Sequence, residues 1–120
     1  MKLFAIAFVF LVGFGCSAQK NTEKTTVLTA VEYNKQVIGK DVQLVDVRTS
    51  GEYAAGRIDD AINIDYTSPD FKQKIAVLDK NKPVYIYCQS GNRSGRASKV
   101  MEELGFTQII DLKGGYGNYR

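Results

Sequence analysis

Cys88 stands in a setting that could make it a nucleophile. It opens the short polar stretch Cys88-Gln89-Ser90-Gly91-Asn92-Arg93-Ser94. The reactive form of cysteine is the thiolate, and an unperturbed thiol is only about 3% ionised at neutral pH. A nucleophilic cysteine therefore needs neighbours that stabilise its anion. Gly91 lets the backbone fold tightly around a small concavity. Arg93 adds a positive charge. A helix starting just beyond would point free backbone N–H groups and a partial positive charge back at the loop. Each feature favours a bound anion, and each favours thiolate over thiol. A lone cysteine is often a buried space filler. The glycine, the arginine and the helix start together shift the reading to a reactive thiol.

The elements around this loop must hold it in place. Val84-Tyr85-Ile86-Tyr87 is apolar and rich in strand formers, so it reads as a buried strand ending at Cys88. From Ser94 to Leu104, Ala97, Val100, Met101 and Leu104 fall at i, i+3, i+4 and i+7, one apolar stripe along a helix. Gly105 stands where a C-terminal cap belongs.

The rest of residues 26–120 alternates strand and helix signals. Thr26 to Leu28, Val42 to Val47, Ala61 to Ile64 and Thr107 to Leu112 read as further strands. Thr29 with Glu32, and Thr49 with Glu52, have capping-box spacing, opening helices to about Ile38 and to near Gly56. Ser68-Pro69 opens another helix, with proline in its first turn and Phe71, Ile75 and Leu78 on its buried face. Asn81 and Pro83 close it. Gly114-Gly115 begins a final short turn or helix. This alternation predicts one α/β domain, a mainly parallel sheet of about five strands with helices on both faces. Such sheets bind ligands beyond the carboxyl ends of their strands, which is where Cys88 falls.

A length of 120 residues suits a single domain. A net charge of +3 with no basic run gives no argument for nucleic acid. The absence of histidine excludes mechanisms that need a histidine base and weakens any metal site. With Cys16 and Cys88 as the two cysteines, no Cys-x-x-Cys pattern exists.

Residues 1–18 have the pattern of an export signal: Lys2, then the apolar run Leu3 to Phe14. That run is short for a membrane span. Gly15-Cys16 resembles the end of a bacterial lipoprotein signal, which would make Cys16 the lipidated first residue. Gly13 and Phe14 depart from the usual residues there. Ordinary cleavage before Gln19 is the other route. The expected location is the periplasm or cell envelope, with membrane contact only through a lipid anchor. Residues 19–25 read as a polar tether. Removal of Cys16 as a disulfide partner would leave Cys88 an unpaired thiol in an oxidising compartment.

Four segments, in order, resemble the single-domain rhodaneses. The loop is similar to that family's Cys-x-x-Gly-x-Arg pattern followed by Ser or Thr. Asp46-Val47-Arg48 with Glu52-Tyr53 resembles its first signature. Gly56-Arg57-Ile58 with Ala61-Ile62-Asn63-Ile64 resembles its second, with Arg57 where histidine is usual and Asp59-Asp60 replacing a Pro-Gly turn. Leu112-Lys113-Gly114-Gly115 with Tyr116 and Tyr119 resembles its closing signature, with Tyr119 where tryptophan is common.

The resemblance implies a sulfurtransferase. Cys88 would attack the sulfane sulfur of a small anion such as thiosulfate, sulfite would leave, and a thiol or cyanide would take the sulfur from a Cys88 persulfide. Cys88 and Arg93 would be catalytic. Gln89, Ser90, Gly91, Asn92 and Ser94 would line the substrate, with no metal or organic cofactor. The expected state is a monomer with an unspecified thiol or protein acceptor. Three classes compete. Dual-specificity-type phosphatases and arsenate reductases share this fold type, but such phosphatases place five residues between Cys and Arg. Here there are four, a smaller loop better suited to a sulfur atom than to a tetrahedral oxyanion. A non-catalytic module would not need both Cys88 and Arg93. A redox or sulfide-relay protein would use the same persulfide.

Other polar groups have simpler readings. Asp46, Arg48 and Glu52 suit a structural charge cluster near the sheet edge better than a substrate contact. Arg96 suits a solvated helix face. Tyr116 and Tyr119 suit packing.

Overall fold

The computed structural model describes residues 23–119. The expected export signal, Cys16 and most of the expected tether lie outside the described residues. Five strands, β1 (Thr25–Leu28), β2 (Gln43–Asp46), β3 (Ile62–Asn63), β4 (Val84–Tyr87) and β5 (Ile109–Leu112), form one sheet in the order β1-β5-β4-β2-β3. Every pairing is parallel. Five helices alternate with them: α1 (Ala30–Val37), α2 (Ser50–Ala55), α3 (Phe71–Ile75), α4 (Asn92–Glu103) and α5 (Gly115–Tyr119). This is the α/β fold expected from the sequence.

Central β4 and its neighbour β5 are buried along their whole length, as parallel strands covered on both faces must be. Alternate side chains feed two cores. One holds Val45, Ile86, Cys88, Phe71, Ile75, Ala97, Met101 and Ile109. The other, on the opposite face, holds Tyr33, Val37, Leu44, Tyr85, Tyr87, Ile110 and Leu112.

The capping signals differ in how they are used. Thr49 and Glu52 form the complete reciprocal box at α2. At α1, Thr29 accepts from the Glu32 N–H, but the Glu32 carboxylate turns to Lys35. Several ends also shift. α4 begins at Asn92, two residues before Ser94, because Gly91 adopts φ 101° and serves as its N-cap. α3 begins at Phe71 behind Asp70, leaving Pro69 in the preceding turn. β3 keeps only Ile62–Asn63 of the expected Ala61–Ile64, since its ladder with β2 spans two residue pairs. Gly105, at φ 101°, closes α4 with its N–H on the Glu102 carbonyl.

Candidate active site

Because all strands run the same way, their carboxyl ends and the N-termini of the following helices meet at one edge of the sheet. β4 ends there at Tyr87, and Cys88 follows, fully buried. Its sulfur accepts the Gly91 N–H at 3.0 Å and lies 3.4 Å from Ser94 Oγ, to which the thiol donates. Ser94 Oγ in turn donates to the Gly91 carbonyl at 3.3 Å. No side chain caps α4, and its first turn carries no acid. The N–H groups of Asn92, Arg93 and Ser94 have no carbonyl one turn back to bond. The positive end of α4 is thus left to the cysteine sulfur and to any anion that approaches it.

The loop is braced from α5. Tyr116 N–H donates to the Cys88 carbonyl at 2.8 Å, and Gly117 N–H donates to the Gln89 carbonyl at 3.0 Å. Gly115 sits at φ 69°, and a Cβ there would lie 2.6 Å from the Cys88 and Gln89 carbonyl oxygens. The closing Gly-Gly signature therefore exists so that the backbone can press against the cysteine loop.

Arg93 does not reach the sulfur. Its guanidinium pairs at two points with Glu52, Nη1–Oε1 at 2.7 Å and Nη2–Oε2 at 3.0 Å. That pairing, with the Thr49 hydrogen bonds, holds the Glu52 carboxyl down at about 2. The Arg93 pKa is raised by the same bond, and the charge acts on Cys88 only through space.

A second cation lies behind the loop. Arg48, buried, forms a salt bridge to buried Asp46 at 2.7 Å. It also donates to the Gln89 Oε1 at 3.0 Å and to the Gly56 carbonyl at 2.6 Å, and sits 4.4 Å from the Tyr116 ring centroid. Arg48, Glu52, Ala55, Gly56, Gln89 and Tyr116 line a cleft of about 210 Å³ beside the loop.

The expected site residues are thus distributed unequally. Cys88, Gly91 and Ser94 meet around the sulfur. Gln89 turns away and ties the loop to Arg48. Ser90 and Asn92 are exposed on the loop rim. Arg93 is displaced onto Glu52. Sequence reasoning missed Glu52 as the partner that fixes Arg93. The sequence placed this carboxylate in the α2 cap and in a charge cluster with Asp46 and Arg48, whereas Arg48 pairs with Asp46 and Glu52 pairs with Arg93. Arg57, in the place of the usual histidine, stacks on Tyr53 at 4.4 Å and donates to the Tyr53 carbonyl. Tyr119, in the place of tryptophan, stacks on Tyr116 and hydrogen-bonds Asn34.

Residues 29–120 match the family described as Rhodanese-like domain. The chain belongs to that family. The uncharacterized protein YqhL of Bacillus subtilis is 42% identical over 77 residues, 64% of this chain and 60% of that protein. The thiosulfate sulfurtransferase PspE of Escherichia coli is 34% identical over 70 residues, 58% of this chain and 67% of that protein. A tRNA uridine(34) hydroxylase of Pelagibacter ubique is 31% identical over 110 residues, 91% of this chain but 36% of that protein. The chain therefore spans well under two thirds of some curated relatives. Among solved structures, a rhodanese-like domain protein of Staphylococcus aureus matches with a TM-score of 0.68 and 32% identity, covering 78% of this chain and 90% of that one. The relatives thus include a sulfurtransferase and a hydroxylase at similar identity, so the choice of activity rests on the cysteine loop.

Proposed function

We propose that this rhodanese-like protein is a sulfurtransferase that carries sulfur as a Cys88 persulfide. One observation carries the reading: the Cys88 sulfur sits at the uncapped start of α4 with the Gly91 N–H on it at 3.0 Å. In the first half-reaction the Cys88 thiolate attacks the outer sulfur of an anion such as thiosulfate. A sulfur–sulfur bond to Cys88 forms, the donor's own sulfur–sulfur bond breaks, and sulfite leaves with the electron pair. In the second, a thiolate or cyanide attacks the terminal persulfide sulfur, and Cys88 leaves as thiolate. Gly91 and the first N–H groups of α4 replace water around the anionic sulfur in both halves.

The four-residue gap between Cys88 and Arg93 supports a sulfur-sized loop over a phosphatase loop. Turnover of thiosulfate with cyanide tests the proposal. It should vanish in Cys88→Ser, because no strong base is placed to activate a hydroxyl there. Hydrolysis of aryl phosphates without sulfur transfer would replace it with the phosphatase reading.

From the sequence we also propose that the protein is exported and that Cys16 carries lipid. N-terminal sequencing and lipid labelling in the native host test this. A chain beginning at Gln19 would remove the lipid and keep export. A chain beginning at Met1 would remove both.

A further inference from the structure

Gln89 follows the nucleophile directly, and the sulfur-transfer steps above give its side chain no part. From the sequence it is expected among the residues lining the substrate. Its amide instead fills a joint between two other elements. Its Oε1 accepts from Arg48 Nη1, just beyond β2, at 3.0 Å. On the α5 side, a Cβ added at Gly117 would lie 3.0 Å from Gln89 Nε2 and 3.1 Å from the Gln89 carbonyl oxygen. The bare backbone of Gly117 therefore leaves the space that the amide occupies. That carbonyl accepts the Gly117 N–H at 3.0 Å. One residue of the cysteine loop is thus held by its backbone to α5 and by its side chain to Arg48.

Arg48 is a fixed point. It is 2% exposed. Its Nε and Nη2 donate to the Asp46 carboxylate, and Nη2 also donates to the Gly56 carbonyl. Its guanidinium carbon lies 4.4 Å from the Tyr116 ring centroid and 5.5 Å from that of Tyr87. A planar fork held on so many sides keeps one geometry. A bond to it passes that geometry to the loop. The other ties lie at the loop's two ends: α5 holds the Cys88 and Gln89 carbonyls, and Glu52 holds Arg93. Between them Ser90 is exposed, and Gly91 turns the chain into α4 at φ 101°. The Gly91 N–H reaches the Cys88 sulfur at 3.0 Å across this stretch.

We propose that Gln89 is a positioning residue for Cys88: its bond to Arg48 fixes the loop so that the Gly91 N–H stays on the sulfur. Donors arranged around an anion lose much of their effect when the frame that holds them slackens. The loss falls on the reacting geometry. Binding of an anionic donor still has the start of α4 and the Arg93 charge, so kcat suffers and KM does not. The effect on turnover rests on the sulfurtransferase reading above; the order of the loop does not.

The test compares Gln89→Leu, which fills the joint without an acceptor, with Gln89→Glu, which keeps an acceptor for Arg48. In thiosulfate-to-cyanide turnover by the full chain, Gln89→Leu should lower kcat by about tenfold and leave KM for thiosulfate within about twofold. Gln89→Glu should recover most of kcat. If Gln89 contacted the donor, Gln89→Leu would raise KM, and Gln89→Glu would raise it further by repelling the anion. Either result overturns the proposal. Gln89→Ala should reproduce the Gln89→Leu result, which keeps the test open if leucine prevents folding. A second measurement needs no sulfur donor: amide hydrogen exchange by NMR. The Gly91 N–H should exchange roughly tenfold faster in Gln89→Leu and near the wild-type rate in Gln89→Glu. Equal Gly91 exchange in wild type and Gln89→Leu overturns the proposal. Failure of the sulfurtransferase reading shows instead as absent turnover in the wild type, with the exchange difference intact.

Discussion

Arg93 at the end of the cysteine loop and Glu52 in the first turn of α2 form a two-point ion pair, at 2.7 and 3.0 Å, across 41 residues of sequence. The pair sits at the mouth of the site, with each side chain about one-third exposed or less. It clamps the loop to α2 and fixes where the Arg93 charge is presented.

Removing Arg93 should therefore act twice on an anionic donor. Arg93→Ala deletes a cation and leaves the Glu52 carboxylate facing the approach. Charge-assisted hydrogen bonds are worth about 1.5–3 kcal/mol, which corresponds to roughly 10- to 150-fold in kcat/KM for thiosulfate. Arg93→Lys should recover only part, since lysine keeps the charge without the planar fork. Glu52→Gln should cost less than about tenfold, because the amide oxygen still accepts one of the two bonds. Steady-state kinetics with melting curves for each variant check this, and full activity in Arg93→Ala would show that the backbone donors suffice.

Two carboxylates should give opposite slopes of stability with pH. Glu52 is depressed to about 2 by Arg93 and its cap. The unfolded chain binds its proton more tightly, so the stability it contributes is present above its ordinary value near 4.5 and lost as pH falls toward 2. Asp111 is raised to about 6 by burial. The folded chain binds that proton more tightly, so stability falls as pH rises from about 3.8 through 6. Urea unfolding across pH 3 to 8, compared with Glu52→Gln and Asp111→Asn, should show each slope disappear with its own residue.

The Arg48–Asp46 pair should matter for stability first. Both groups are buried, and Arg48 also holds Gln89 and the Gly56 carbonyl. Arg48→Ala leaves an uncompensated buried carboxylate and should cost about 3–5 kcal/mol. Arg93→Ala, at a pair about one-third exposed, should cost about 1 kcal/mol or less. Chemical denaturation of the two variants side by side checks the ranking.

The Gly115 contact should be intolerant of even one methyl. Gly115→Ala places a Cβ 2.6 Å from two carbonyl oxygens of the loop, at a left-handed backbone angle. Overpacking of this kind costs about 1–3 kcal/mol, and the displaced loop should lose most of its sulfur-transfer activity. The backbone at Gly51 has open space around it, so Gly51→Ala should leave both stability and activity near wild type.

The strand, loop and helix around Cys88 were legible because their signals are local. An apolar run, a glycine and an apolar stripe each act within a few residues. The Thr49–Glu52 box was equally readable. What escaped was tertiary. Glu52 already had a local role, and nothing nearby reveals a second partner 41 residues away. Asp111 was hidden inside the apolar run Ile109 to Leu112, where the ladder sets it opposite Ile86 on the Cys88 face of the sheet. The α3 start was misplaced because Ser68 and Asp70 bond each other in a turn, leaving Pro69 ahead of the helix. Asp60, which stands in the replaced Pro-Gly turn, adopts φ 69°. Aspartate tolerates that left-handed angle better than most residues, so the turn survives the substitution.

The central claim is that Cys88 carries sulfur. Intact mass spectrometry after incubation with thiosulfate tests it most directly. The wild-type chain should gain one sulfur atom, removable by cyanide or a small thiol, and Cys88→Ser should gain none. A wild-type chain that stays unmodified, or a sulfur atom gained equally by Cys88→Ser, would contradict the account.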